Sequence, residues 1–224
     1  MPRIARAVAS GFPHHVVQRG NNKEAVFADE EDRLRYLTLL TKYSVKWESP
    51  VLSYCLMTNH VHLLTKPQED KSLHKMMQGV TLCYTQHINR KYNRTGRLWE
   101  SRYHSCIVDS ERYLWAVARY IEQNPIRAMM AVNPEDYSYS SARAHFGLVK
   151  NELINDELFP ESQRKDYMAF VRGEIEEDQL KDIRTSIRTG RPFTSNRGLK
   201  AIEEKLARKL AALPIGRPRK NAEG

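Results

Sequence analysis

The amino-acid sequence predicts an α+β fold: a ferredoxin-like antiparallel sheet with helices on one face, followed by a helical, basic C-terminal extension. Three observations predict it. Apolar periodicity runs strand, helix, strand, strand, helix, strand, helix up to Pro125, the order of a split βαβ sandwich. Turn residues punctuate that order where the period changes, at Gly20-Asn21-Asn22 and Met57-Thr58-Asn59,. Beyond residue 150, helical patterns continue with no strand signal. In such a layout one sheet face packs on helices and the other is open to carry a site. A chain of 224 residues is long enough for one good-sized core plus a small appended module. The expected division is 1–150, a helical extension at 151–213 and a flexible basic tail at 214–224.

Each element has its own signal. Residues 14–19, HHVVQR, form a short β-rich run that ends at the glycine turn. Asp29 opens a helix through Tyr43, with Leu34, Leu37 and Leu40 as its apolar stripe,. VLSYCL at 51–56 and HVHLLT at 60–65 read as the two strands of a hairpin. From Ser72 to Lys91 a helix uses Leu73, Met76, Met77, Val80, Leu82 and Tyr84. A strand is expected at 103–108 within NRTGRLWESRYHSCIVDS. Asp109 or Ser110 then caps the helix ERYLWAVARYIEQ, which stops at Asn124 because the residue before Pro125 is pushed out of the α region. Residues 151–190 are helical, and Thr194 or Ser195 opens a last helix striped by Leu199, Ile202, Leu206, Leu210 and Leu213,. The tail GRPRKNAEG is too polar to pack.

Composition narrows the partners. The 41% hydrophobic and 28% charged residues mark a globular chain, and no apolar run reaches the ~18–20 residues that span a bilayer. The start, MPRIARAVASGF, lacks the continuous apolar stretch of a signal peptide. Cys55, Cys83 and Cys106 are odd in number and widely spaced, which points to reduced thiols and a cytoplasmic protein. The net charge of +9 is unevenly spread. Residues 1–150 carry 21 basic and 14 acidic side chains, net +7; residues 151–182 carry 4 and 10, net −6; residues 183–224 carry 11 and 3, net +8. A basic body, an acidic connector and a basic tail fit a polyanion-binding protein with two contact regions.

Function turns on MTNHVHLL at 57–64. In a strand, residues two apart share a face, so His60 and His62 project together about 6.5–7 Å apart at Cα, close enough for two imidazoles to meet one cation. Taken alone, the pair reads first as two exposed histidines. The helix before Pro125 adds Tyr120 and Asn124, four residues apart on one face,, and an asparagine carbonyl can complete a two-imidazole, one-amide set. Tyr120 also reads as a core residue with its hydroxyl at the rim, and Asn124-Pro125 as the start of a new helical turn.

Taken together and in order, QRGNN, MTNHVHLL, GRLWESRYHSCIVDS, RYIEQNPIRA and a terminal GRPRK resemble the REP-associated tyrosine transposases, single-tyrosine members of the HUH nuclease group. The resemblance covers about residues 12–147, with a looser match in the basic C-terminus. It implies that residues 1–150 are the catalytic domain, that His60 and His62 are metal ligands, that Tyr120 is the nucleophile and that Asn124 is the third ligand. Many members of the wider group carry glutamine four residues after the tyrosine. Here that position is asparagine, as in the REP-associated branch, and the adjacent Gln123 is the second candidate.

The implied chemistry is cleavage of single-stranded DNA at REP-type hairpins with a divalent metal, Mg²⁺ or Mn²⁺. Tyr120 attacks the phosphodiester to leave a 5′-phosphotyrosine and a free 3′-hydroxyl. For DNA binding, a single strand needs positive charge along its backbone and aromatics against its bases. Arg94, Arg97, Trp99 and Arg102 interleave these types, Arg19 and Lys23 flank the glycine turn, and Arg127 follows the tyrosine helix. Trp99 reads equally as a core residue. Gly216-Arg217-Pro218-Arg219 resembles the core of an AT-hook, incomplete because Ile215 stands where a hook carries arginine; its arginines would enter the minor groove of a hairpin stem. A monomer is expected. Competing readings are a non-cleaving hairpin-binding regulator of the same fold, a metal-dependent hydrolase acting through water, and a basic adaptor with idle histidines.

Overall fold

The computed structural model describes residues 6–109, 111–154, 158 and 160–210. Four strands, β1 (His14–Arg19), β2 (Val51–Leu56), β3 (His60–Thr65) and β4 (His104–Ile107), form one sheet in the order β2-β3-β1-β4. Every pairing is antiparallel. Helix α1 (Glu30–Lys46) joins β1 to β2, and α2 (Ser72–Lys91) joins β3 to β4. This is the ferredoxin-like arrangement the element order predicts. The ends of β2, β3 and α2 coincide with the sequence reading, whereas β4 is shorter than the 103–108 expected.

Local chemistry sets the helix starts. The Asp29 side chain accepts from the Asp32 amide at 3.0 Å, and Asp32 accepts back from the Asp29 amide at 3.4 Å, a reciprocal cap. Asp32 is fully buried and bonds Lys91 at the end of α2, 3.1 Å away, so the cap also clamps α1 to α2. Helix α1 buries Tyr36, Leu39 and Leu40. The expected stripe is corrected here: Leu34 is 52% exposed, as is Leu82 of α2 at 55%. A strict three-residue step drifts around a helix of 3.6 residues per turn, and the i, i+3, i+4 face wins.

Both long helices pack on the sheet face formed by Val16, Tyr54, Leu56, Val61 and Leu63. Between them lies a knot of aromatic rings, with Tyr36 edge-on to Tyr84 at 5.1 Å and Trp99 6.1 Å from Tyr84. The opposite face is not left open. Helix α3 (Glu111–Glu122) crosses it, and Leu52, Cys55 and Leu64 pack with Val117, Tyr120 and Ile121. A short turn α4 (Asn124–Arg127) and a second short helix α5 (Ala142–His145) follow.

The C-terminal helices α6 (Arg164–Arg172), α7 (Glu177–Thr189) and α8 (Asn196–Leu206) continue this layer. Tyr167, Val171, Leu180, Ile183 and Phe193 share one apolar cluster with α3. Ser195 caps α8 by accepting from the Gly198 amide, as the sequence predicts. Ile202 of α8 buries against Ala9 and Ile107. Leu213 and the tail from 214 lie outside the described residues. All three cysteines are free. Among the described residues no helix is long and apolar enough to cross a membrane.

His14 at the start of β1 is fully buried in its neutral form. Its Nδ1 donates to the Phe12 carbonyl at 2.8 Å, and its Nε2 accepts from the Ala9 amide at 3.2 Å. Burial pulls its pKa from 6.5 down to about 4. Because the folded value lies below the unfolded one, this contribution to stability is complete above pH 6.5 and is lost as pH falls towards 4. The expected loss is about 3 kcal/mol from this group. Urea unfolding followed from pH 7 to pH 4 checks it, and a flat profile would contradict the buried neutral imidazole.

Candidate active site

Strand β3 sits between β2 and β1, and its register places His60 opposite Arg19 and His62 opposite both Val17 and Cys55. The two histidines therefore share the face crossed by α3, with ring centroids 5.0 Å apart. His62 is buried and His60 half-buried. Each ring has its Nδ1 engaged. His60 Nδ1 donates to Asn59 Oδ1 at 2.6 Å, and His62 Nδ1 lies 3.1 Å from Nε2 of His15. Burial first, then the neighbouring Arg19, lowers the His60 pKa to about 4. Burial also holds His62 well below 6.5, reinforced by His15 and His60. At neutral pH both rings keep a lone pair, and the nitrogen left for a ligand is Nε2 in each.

His15 is a site residue that sequence reasoning passed over. It is fully buried on β1, stacked with His62 at 5.4 Å and edge-on to Tyr120 at 5.7 Å. Only the β1–β3 register brings it there, and no local pattern in HHVVQR reveals which histidine faces the site.

Helix α3 delivers Tyr120 to this face. Its ring centroid is 5.7 Å from that of His62 and it is 6% exposed. The helix ends at Glu122 and Asn124 begins α4 with Pro125 next to it, because proline tolerates only the first turn of a helix. Asn124 Nδ2 donates to the Tyr120 and Ile121 carbonyls at 3.1 and 3.2 Å, which leaves its Oδ1 as the free acceptor. Gln123 points elsewhere: its Nε2 donates to the Val171 and Gly173 carbonyls at 2.5 and 2.7 Å. Arg127 lies with its guanidinium 4.4 Å above the Tyr120 ring and donates through Nη2 to the Tyr120 carbonyl. Its Nη1 is buried with no hydrogen-bond partner among the described residues. Burial lowers its pKa to about 10, so it stays charged at pH 7.

Among the described residues no group of three His, Cys, Asp or Glu side chains converges as a cation site. His60 Nε2, His62 Nε2 and Asn124 Oδ1 make no hydrogen bond there, and neutral imidazole nitrogens and an amide oxygen are donor types that bind divalent cations. A cavity of about 540 Å³ lined by Trp115, Arg119, Phe170, Glu174 and Gln179 includes none of these residues.

The expected DNA contacts separate into three groups. Arg19, Lys23, Arg94, Arg97 and Arg102 are exposed, and Arg94 pairs with Glu24 at 3.4 Å. Trp99 is corrected: it is 5% exposed inside the aromatic knot with Tyr36 and Tyr84, where its face cannot stack on a base. Burying an indole against the rings of Tyr36 and Tyr84 outweighs the pull of its basic neighbours in sequence. Arg217 and Arg219 lie outside the described residues.

A buried carboxylate anchors the tyrosine helix. Glu122, fully buried, accepts from Ser141 Oγ and His145 Nδ1 at 2.5 Å each through Oε1, and from Tyr167 Oη at 3.0 Å through Oε2. Removing it takes from the buried Ser141, His145 and Tyr167 side chains the carboxylate they share, a loss of about 3–5 kcal/mol. Glu122→Ala is expected to show that drop in denaturant unfolding, with Glu122→Gln intermediate. A change within 1 kcal/mol would refute the anchor.

The family model "Transposase IS200 like" matches residues 9–124, a span that includes His15, His60, His62, Tyr120 and Asn124. The fold is similar to that of a REP-associated tyrosine transposase solved bound to a REP hairpin. There the TM-score is 0.56 and the identity 14%, over 79% of this chain and 99% of that one. A protein of Deinococcus radiodurans described as a transposase aligns at 19% identity over 55% of this chain and 97% of its own, with a TM-score of 0.37. No curated protein matches. With just over half of its length matched by the family model, the chain belongs to the IS200-like transposases, the single-tyrosine enzymes of the HUH group.

Proposed function

We propose that the protein is a metal-dependent DNA strand transferase that cuts single-stranded DNA beside REP-type hairpins, with Tyr120 as the nucleophile. The observation that carries this reading is the meeting of Tyr120 with His15 and His62 of its own chain, with His60 beside His62, while His60 Nε2, His62 Nε2 and Asn124 Oδ1 make no hydrogen bond among the described residues. These three atoms would hold Mg²⁺ or Mn²⁺. What the cation supplies when bound is Lewis-acid stabilisation of charge on the non-bridging phosphate oxygens.

The residues do the rest. Tyr120 Oη forms a bond to phosphorus as the bond from phosphorus to the 3′ oxygen breaks; the phenol proton passes to water, and the departing 3′ oxygen takes one up. The strand keeps its 5′ phosphate on Tyr120, so the reverse attack by a 3′-hydroxyl reseals it without ATP. Arg127 holds the Tyr120 ring and backbone, and its buried, unpartnered Nη1 would donate to a phosphate oxygen brought into the site. Arg19 stands opposite His60, where a single strand entering the site would pass; Lys23, Arg94, Arg97 and Arg102 extend the positive edge. Residues 151–213 and the tail with Arg217 and Arg219 are assigned to the duplex stem. The same-chain site fits a monomer, and the activity fits a cytoplasmic protein. The hairpin substrate rests on the resemblance and on the similar protein's bound REP hairpin.

A second reading is favoured by one observation. Tyr120 is only 6% exposed, which suits a hairpin-binding regulator of the same fold that does not cut. A hairpin substrate labelled on the 3′ side of the cleavage site, incubated with Mn²⁺ and run on a denaturing gel, separates the two. Wild type is expected to give a covalent adduct that Tyr120→Phe abolishes and His60→Ala lowers at least about 100-fold. An adduct retained by Tyr120→Phe would remove the nucleophile assignment, and none in wild type would favour the regulator. Deleting residues 214–224 removes Arg217, Arg219 and Lys220. It should make the slope of log affinity against log salt shallower by about two to three for hairpin DNA; an unchanged slope would free the tail of that role.

A further inference from the structure

Asn59 occupies a junction that its place in a hairpin turn does not explain. Its backbone carbonyl accepts from the Gly20 amide at 2.8 Å. Its side-chain Nδ2 donates to the Lys23 carbonyl at 2.9 Å, and its Oδ1 accepts from His60 Nδ1 at 2.6 Å. Asparagine is common in turns because it tolerates positive φ, yet among the described residues with positive φ Asn59 is not found. The side chain is what the position uses.

The two side-chain bonds are directional. The amide cannot flip without turning Nδ2 towards His60 and Oδ1 towards a carbonyl, so the Lys23 carbonyl fixes which end faces the ring. An acceptor at His60 Nδ1 in turn fixes the proton there and leaves the lone pair on Nε2. Lys23 belongs to a tight turn with no slack. A Cβ on Gly20 would lie 2.4 Å from the Glu24 carbonyl oxygen, and the Asn21 and Val26 amides bond the carbonyls of Leu98 and Thr58 at 2.9 Å each. His62 has a comparable partner in His15, but only His60 is connected to the exposed turn carrying Lys23.

We propose that Asn59 is a positioning residue: it orients His60 with Nε2 towards the cation and ties that ligand to the basic 20–24 turn. The inference rests on the metal-binding reading of His60 given above, and the experiment keeps the two apart. Mn²⁺ binding to the full chain without DNA is measured by calorimetry and by electron paramagnetic resonance for wild type, His60→Ala, Asn59→Leu and Asn59→Asp, with folding checked by circular dichroism. Asn59→Leu removes both bonds and is expected to weaken Mn²⁺ about 10–100-fold. Asn59→Asp keeps the acceptor for His60 and loses the donor to Lys23; it is expected to bind Mn²⁺ at least as tightly as wild type. Asn59→Leu within twofold of wild type, with His60→Ala abolishing binding, overturns the role of Asn59 alone. Asn59→Asp weakened tenfold overturns it too, even if Asn59→Leu fails to fold. Equal binding by wild type and His60→Ala instead rejects His60 as a ligand, and the Asn59 role with it.

Discussion

The antiparallel register between β1 and β3 is the constraint on which the rest of the structure depends. Pairing His15 with Leu64, Val17 with His62 and Arg19 with His60 assigns every side chain of the two central strands to a face. Val16, Val61 and Leu63 go to the aromatic core; His15, His60 and His62 go to the other face. A slip of β3 by one residue would exchange the two faces of that strand, putting His60 and His62 into the apolar core and leaving His15 without them. The same register carries the 20–24 turn to the 57–60 hairpin, where backbone bonds from Gly20 and Val26 lock the two loops together.

The faces are built from different physics. Beneath α1 and α2, stability comes from burial of aromatic and aliphatic area: Tyr84 Oη donates to the Val26 carbonyl at 2.6 Å, while Tyr36 Oη and Trp99 Nε1 are buried with no hydrogen-bond partner among the described residues,. On the other side, burial acts on titratable groups. Taking His15, His60 and His62 out of water depresses their pKa values, because an imidazolium there would lose its hydration without gaining an anion. The result is a cluster of neutral bases at pH 7, which is the protonation state a metal ligand requires. Fold stability and ligand chemistry therefore follow from the same desolvation.

The tyrosine helix is held from outside the sheet. Glu122 binds α5 and α6, Gln123 bonds the carbonyls of Val171 and Gly173, and Arg119 donates to the Glu174 carbonyl and to Gln179. The last turn of α3 and the residue that follows it are thus tied to residues 141–179. The C-terminal helices brace the helix that carries Tyr120. Gln123 is a member of that brace, bonded to the Val171 and Gly173 carbonyls, whereas Asn124 turns its amide back onto the end of α3.

By itself the sequence determined the elements and their order. Hydrophobic period, the Asp29 and Ser195 caps, the glycine turn and Pro125 are local signals, and local signals delimit β2, β3 and α2 to the residue. It also determined that His60 and His62 share a face and that Tyr120 and Asn124 share another, since both follow from the repeat of a strand or a helix. Tertiary structure alone decided what those faces meet. His15 joins the cluster through a pairing 47 residues away in sequence, and Glu122 finds its donors 19 to 45 residues on. Trp99 goes to the core against a basic local context, and Leu34 and Leu82 go to solvent despite theirs. In each case the outcome depends on which surfaces pack together, and that is settled by long-range burial, a quantity no local stretch of sequence contains.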